Sequence, residues 1–127
     1  MADHLDASVL LKLQQVMEAE YPQLLDTFLG DSEERLRLLQ TTCRSADAEY
    51  LRQAAHSFKG SCSNMGAALL AEHCHALEEA AQRGQLEEAC ELIERIEREF
   101  AIVRILYRAE RQRFCGPGLD GATESIS

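Results

Sequence analysis

The sequence predicts an all-α protein, an up-down antiparallel four-helix bundle with a short additional N-terminal helix. Three observations carry this. Apolar residues recur at helical spacing almost throughout, with no alternating strand pattern. Only two of the 127 residues are proline, so little interrupts a helix. The breaks between apolar stripes are short, which makes consecutive helices antiparallel neighbours. A chain of this length forms one domain with a single core, and no internal repeat suggests a solenoid.

The first helix follows from Val9, Leu10, Leu13, Val16 and Met17, with Asp6 or Ser8 as its cap. Tyr21-Pro22 breaks it, and Pro22 suits the first position of the next helix. That second helix carries Leu25, Phe28, Ser32, Leu36, Leu39 and Cys43 on one stripe, with Asp31, Glu33, Glu34 and Arg37 on a solvated face. The polar run RSADAEY caps a third helix over roughly 46–64, whose stripe is Leu51, Ala54, Ala55, Phe58, Cys62 and Met65. Gly66 marks a turn. A fourth helix with Leu70, Cys74, Leu77 and Ala81 ends at Gly84. The last helix shows Leu86, Cys90, Ile93, Ile96, Phe100, Val103 and Tyr107. The Gly-rich, polar residues 114–127 read as a disordered tail after a domain of residues 1–113.

A formal net charge of −9 argues against nucleic acid, which needs clustered Lys and Arg, and against an anionic membrane surface. No apolar run approaches the roughly 20 residues that span a bilayer. The N-terminus MADHLDAS has no signal-peptide character, so the expected compartment is the cytoplasm. Five cysteines, an odd number without a CxxC pair, are expected to be reduced thiols, four of them on apolar helical positions.

The stretch AAHSFKGSCSNMGA, residues 54–67, places His56 in the middle of the third helix. At 100° per residue it lies roughly 140° from the Leu51–Phe58–Cys62 core direction and faces solvent. Arg52 and Lys59, at i−4 and i+3, neighbour it on the helix surface, and Gly60 and Ser63 complete the patch. A neutral imidazole is a good nucleophile near neutral pH. Two adjacent cations favour its neutral form and can balance a phosphoryl group attached to it. Glycine inside a helix costs roughly 1 kcal/mol relative to alanine, and at Gly60 it clears space for a partner to reach the ring. The plainer alternative is a surface histidine beside a glycine that eases helix packing.

The run AHSFKGSCSNMGA resembles the phospho-acceptor motif of histidine-containing phosphotransfer (HPt) domains, through His56, Phe58, Lys59, Gly60, Ser61, Cys62, Met65, Gly66 and Ala67. The likeness covers roughly residues 8–110, where the helix order also suits the family, and is nearest to the stand-alone bacterial, HptB-like type. It implies that His56 is the phosphorylated residue, Lys59 its electrostatic partner and Gly60 the docking clearance; Arg52 and Ser63, placed beside them by helix geometry alone, are expected to belong to the same docking patch. It implies a phosphocarrier between receiver domains of hybrid sensor kinases and response regulators, working as a monomer. The carrier needs no cofactor of its own, because the receiver supplies Mg²⁺. Some members hold the histidine ring with a glutamine from the next helix. Here Gln82 lies near that helix's end and Glu78 is acidic, so no secure counterpart is evident.

Other chemistries fare worse. His73, Cys74 and His75 are adjacent, but positions i and i+2 on a helix point about 200° apart, so they do not gather around zinc. No P-loop, dinucleotide fingerprint or nucleophile elbow is present. Glu78, Glu79, Glu87 and Glu88 read as solvated helix charge. The chain is thus expected to be a transfer partner without kinase activity of its own. The remaining alternative is a helical adaptor, or a degenerate HPt-like module, that binds without being phosphorylated.

Overall fold

The computed structural model describes residues 2–115. Helix α1 (Ala7–Met17) leads through a single 3₁₀ turn (Glu18–Glu20) into α2 (Tyr21–Ser45), followed by α3 (Ala48–Asn64), α4 (Ala68–Gln82) and α5 (Leu86–Cys115). Helices α2 to α5 form the bundle, each packed against the next, with α5 closing back on α2. Their antiparallel sense shows in the cross-helix pairs. Tyr21 at the start of α2 donates its hydroxyl to Glu110 near the end of α5, at 2.7 Å. Cys43 near the end of α2 meets Cys90 near the start of α5. No helix among the described residues is long and apolar enough to cross a membrane.

The caps explain the boundaries. The Asp6 carboxylate accepts from the backbone N–H groups of Ser8 and Val9 at the head of α1, and Asp47 accepts from that of Tyr50 at the head of α3. Among the described residues no side chain caps helix α4. The N–H of Leu69 donates instead to the backbone oxygen of Asp3, at 2.9 Å, so the N-terminal segment serves as its cap. That segment is tied down again where Asp6 N–H donates to the oxygen of Gly66. Gly66 has φ +77°, and an added Cβ there would lie 3.1 Å from the Cβ of Val9. Both the turn and the close approach of α1 therefore require glycine.

The core is one cluster drawn from all five helices, centred on Leu25, Leu39, Leu51, Phe58, Leu77 and Ile96. Tyr107 is fully buried, packs edge-on to Phe28 with ring centroids 5.3 Å apart, and donates its hydroxyl to the oxygen of Met65.

Several expectations need correction. Helix α2 begins at Tyr21, which places Pro22 within its first turn, where a missing N–H costs nothing. Leu36 and Cys43 are half-buried, while Leu29 and Thr42 join the buried face. Phe114 and Cys115 continue α5 because Phe114 packs edge-on against Tyr21, with centroids 5.1 Å apart; residues 116–127 of the expected tail lie outside the described residues. The cysteines are not all free. Cys43 and Cys90 are disulfide-bonded, and Cys62, Cys74 and Cys115 are the free thiols.

Candidate functional site

Helices α3 and α4 pack closely along their length, which brings the outward flank of α3 against a carboxylate of α4. The side chain of His56 is 65% exposed, and its Nδ1 lies 2.9 Å from Oε2 of Glu78. The other oxygen of the same carboxylate, Oε1, accepts from Lys59 Nζ at 2.7 Å. Glu78 itself is only 15% exposed. Two further groups border the site. His75 Nδ1 is 3.5 Å from Lys59 Nζ, and His75 Nε2 is 3.7 Å from a Glu79 oxygen.

The electrostatics fix the ring's tautomer. Burial is the largest influence on the Glu78 carboxyl and pushes its pKa up. Hydrogen bonds from Lys59 and His56, with the charges of both, outweigh burial and leave it below the usual carboxylate range. Glu78 is therefore ionised at neutral pH and can only accept. The proton of a neutral His56 must then sit on Nδ1, which leaves the lone pair of Nε2 directed into solvent. An imidazole held in this way is a nucleophile with one open face.

The other expected site residues separate. Gly60 is exposed on α3, and among the described residues no atom beyond its chain neighbours and the adjacent backbone of its own helix lies within 4 Å of a Cβ added there. Internal packing does not require this glycine. Ser63 is exposed on the same helix. Arg52, expected beside His56, is turned toward the preceding turn. Its Nε and Nη2 donate to the two oxygens of Glu49 at 3.0 and 2.8 Å. Glu49 is held down to about 2, first by the hydrogen bond from Arg52 and then by that from Gln53. Among the described residues no hydrogen bond or ion pair joins Arg52 to His56, because the fork geometry of the Glu49 pair has captured it.

Glu78, expected from the sequence to be solvated helix charge, instead pairs with both His56 and Lys59. The signal was present: it follows Leu77 of the core stripe and stands four residues after buried Cys74, at the edge of the stripe. A carboxylate there faces a neighbouring helix. The cluster His73, Cys74 and His75 does not converge, since Cys74 is buried and His75 exposed, and no group of three metal-ligating side chains forms among the described residues.

Comparison with known proteins gives a consistent set of likenesses. The family model for the Hpt domain matches residues 23–106. The chain is 34% identical over 67 residues to the phosphorelay protein LuxU of Vibrio harveyi, an alignment covering 53% of this chain and 59% of that protein. The chain thus spans less than two thirds of that relative's length. Among solved structures it resembles histidine-containing phosphotransfer protein B (HptB) from Pseudomonas aeruginosa PAO1, at 63% identity and a TM-score of 0.85. That match covers 89% of this chain and 98% of the other.

Proposed function

The chain belongs to the Hpt domain family, and from that premise we propose that it carries a phosphoryl group on His56 between receiver domains in a phosphorelay. The observation that supports this most directly is the shared carboxylate of Glu78, with one oxygen on His56 Nδ1 and the other on Lys59 Nζ.

In the proposed step, Nε2 of His56 attacks the phosphorus of a receiver's aspartyl phosphate in line. The N–P bond forms as the acyl phosphate P–O bond breaks, and the electron pair leaves with the aspartate carboxylate. Little covalent work falls to the protein beyond positioning and charge balance. As the bond forms, the ring gains positive charge between Nδ1–H and Nε2–P, and the Glu78 carboxylate stabilises it as a buried aspartate steadies the imidazolium of a serine protease. The ammonium of Lys59 has three donors. One is held by Glu78, and another can turn to the equatorial phosphoryl oxygens. Transfer onward to a response regulator is the same step in reverse.

We assign Mg²⁺ to the receiver, because the carboxylate at the ring is already engaged by two donors. The chain thus acts as a carrier without kinase activity, and since His56, Lys59 and Glu78 share two adjacent helices, one copy suffices. Gly60 and Ser63 are proposed to lie under the docked receiver.

The test is incubation with a panel of phosphorylated receiver domains. Acid-labile, base-stable phosphate is expected on the native chain and is expected to be lost in His56→Gln, which should stay folded because the residue is exposed. His4→Gln and His73→Gln serve as controls. Phosphate incorporation at the native level in His56→Gln would end the assignment.

A further inference from the structure

The Cys43–Cys90 bridge stands apart from this chemistry. It joins α2 to α5 with a Cα–Cα separation of 5.8 Å, within the range that bridges favour. His56 and Lys59 stand on α3 and Glu78 on α4, so neither bridged helix carries a residue of the site. Both bridged cysteines are half-buried and so within reach of a small reagent. Cys62 and Cys74 are fully buried against each other; a hydrogen bond between them, with burial added, pushes the Cys74 thiol up and keeps it unreactive. The bridge also sits where α2 hands over to α3. The backbone oxygen of Cys43 accepts from Ala46 N–H, and Ala46 holds a left-handed conformation at φ 60°.

The odd cysteine count without a CxxC pair reads as free thiols, whereas the fold brings two accessible thiols into bonding position. Both hold if the bond is reversible. We infer that Cys43 and Cys90 form a redox-responsive staple that closes under hydroperoxides, opens under dithiols, and changes the stability of the bundle while leaving the chemistry at His56 unchanged. In closing, one thiolate attacks the hydroperoxide, giving a sulfenic acid and releasing an alcohol, or water from hydrogen peroxide itself. The second thiol then displaces water from the sulfenic acid to form the disulfide. A dithiol reductant reopens it by exchange and is itself oxidised to a disulfide.

The full chain is treated either with a few equivalents of hydrogen peroxide or with dithiothreitol, then denatured and alkylated. Five thiols are expected to react after reduction and three after oxidation, with peptide mapping placing the bond between Cys43 and Cys90. The oxidised form should unfold about 10 °C or more above the reduced form, a difference that Cys43→Ser abolishes. If that variant folds poorly, Cys90→Ser serves the same purpose. Transfer from a phosphorylated receiver should run at the same rate in both forms. Thiol count and unfolding midpoint are independent of phosphotransfer, so failure of the relay reading would show separately, as no acid-labile phosphate in either form. Five reactive thiols after peroxide, a bond mapped elsewhere, equal midpoints, or a transfer rate that follows the bridge would each overturn the inference.

Discussion

Removing the Glu78 carboxylate tests the site where its geometry is most specific. In Glu78→Ala, His56 loses the acceptor that keeps its proton on Nδ1, and Lys59 loses the partner that holds it beside the ring. A net charge-assisted hydrogen bond contributes about 1.5–3 kcal/mol. His56 is 65% exposed, so solvent screening places its share at the lower end; Lys59, 26% exposed, is less screened. If one such contact acts fully in the transition state, phosphoryl acceptance falls roughly 10- to 100-fold. Glu78→Gln retains an oxygen for Nδ1–H but turns an NH₂ toward Lys59 and carries no charge, so a smaller loss is expected. The assay is single-turnover transfer from a phosphorylated receiver, alongside ¹⁵N spectra of the His56 ring that report which nitrogen bears the proton. The pH dependence has a definite sign. The carboxyl of Glu78 has a lower pKa folded than unfolded, so its stabilisation is complete above the ordinary carboxylate range and is lost as pH falls through the folded value. Glu78→Gln should remove that part of the acid-unfolding profile. Acceptance at the native rate in Glu78→Ala, with the Nδ1–H tautomer unchanged, would refute the reasoning.

Lys59→Ala should slow transfer roughly 10- to 150-fold, and Arg52→Ala should do much less because Glu49 already holds that guanidinium; rate constants measured side by side decide, and a larger Arg52 effect would reverse the assignment. Gly60→Ala should raise stability by up to about 1 kcal/mol, since its Cβ meets open space. Gly60→Gln should likewise stay folded in a melting curve yet transfer slowly, because the longer side chain projects toward an incoming receiver. Ser32 is fully buried, and its hydroxyl has no partner among the described residues, so replacement by alanine should stabilise the protein by about 1 kcal/mol, read from denaturant midpoints.

What the sequence disclosed depended on how far each cause lay along the chain. Helix-length stripes, helix caps and the turns at Gly66 and Gly84 are local; of the two candidates at the first helix the structure uses Asp6, and within the run RSADAEY it uses Asp47. His56 as a solvent-facing residue followed from 100° steps alone. The Glu49–Arg52 pair is equally local, at i and i+3, a spacing that favours an ion pair on a helix surface. Glu78 was different. Its role exists only once α4 lies against α3, so residue type and spacing within one helix described it as surface charge. The same holds for Phe114, whose place in α5 is set by Tyr21 at the other end of the chain, and for the pairing of Cys43 with Cys90.

The separation of His56 from Glu78 is 22 residues, and that of Lys59 from Glu78 is 19. The buried Tyr21–Glu110 pair spans 89. By loop-closure entropy alone, the shorter connection closes at about 1.2 kcal/mol less cost than the longer. The arrangement that readies the histidine is therefore among the most local tertiary features of the protein. On a ribosome, both helices that build it emerge before α5 is complete, and in refolding their contact has a short search. The contact at the His56 ring thus belongs to a pairing of consecutive helices, while the seam between α2 and α5, with the Tyr21–Glu110 hydrogen bond, closes the bundle over a far longer stretch of chain.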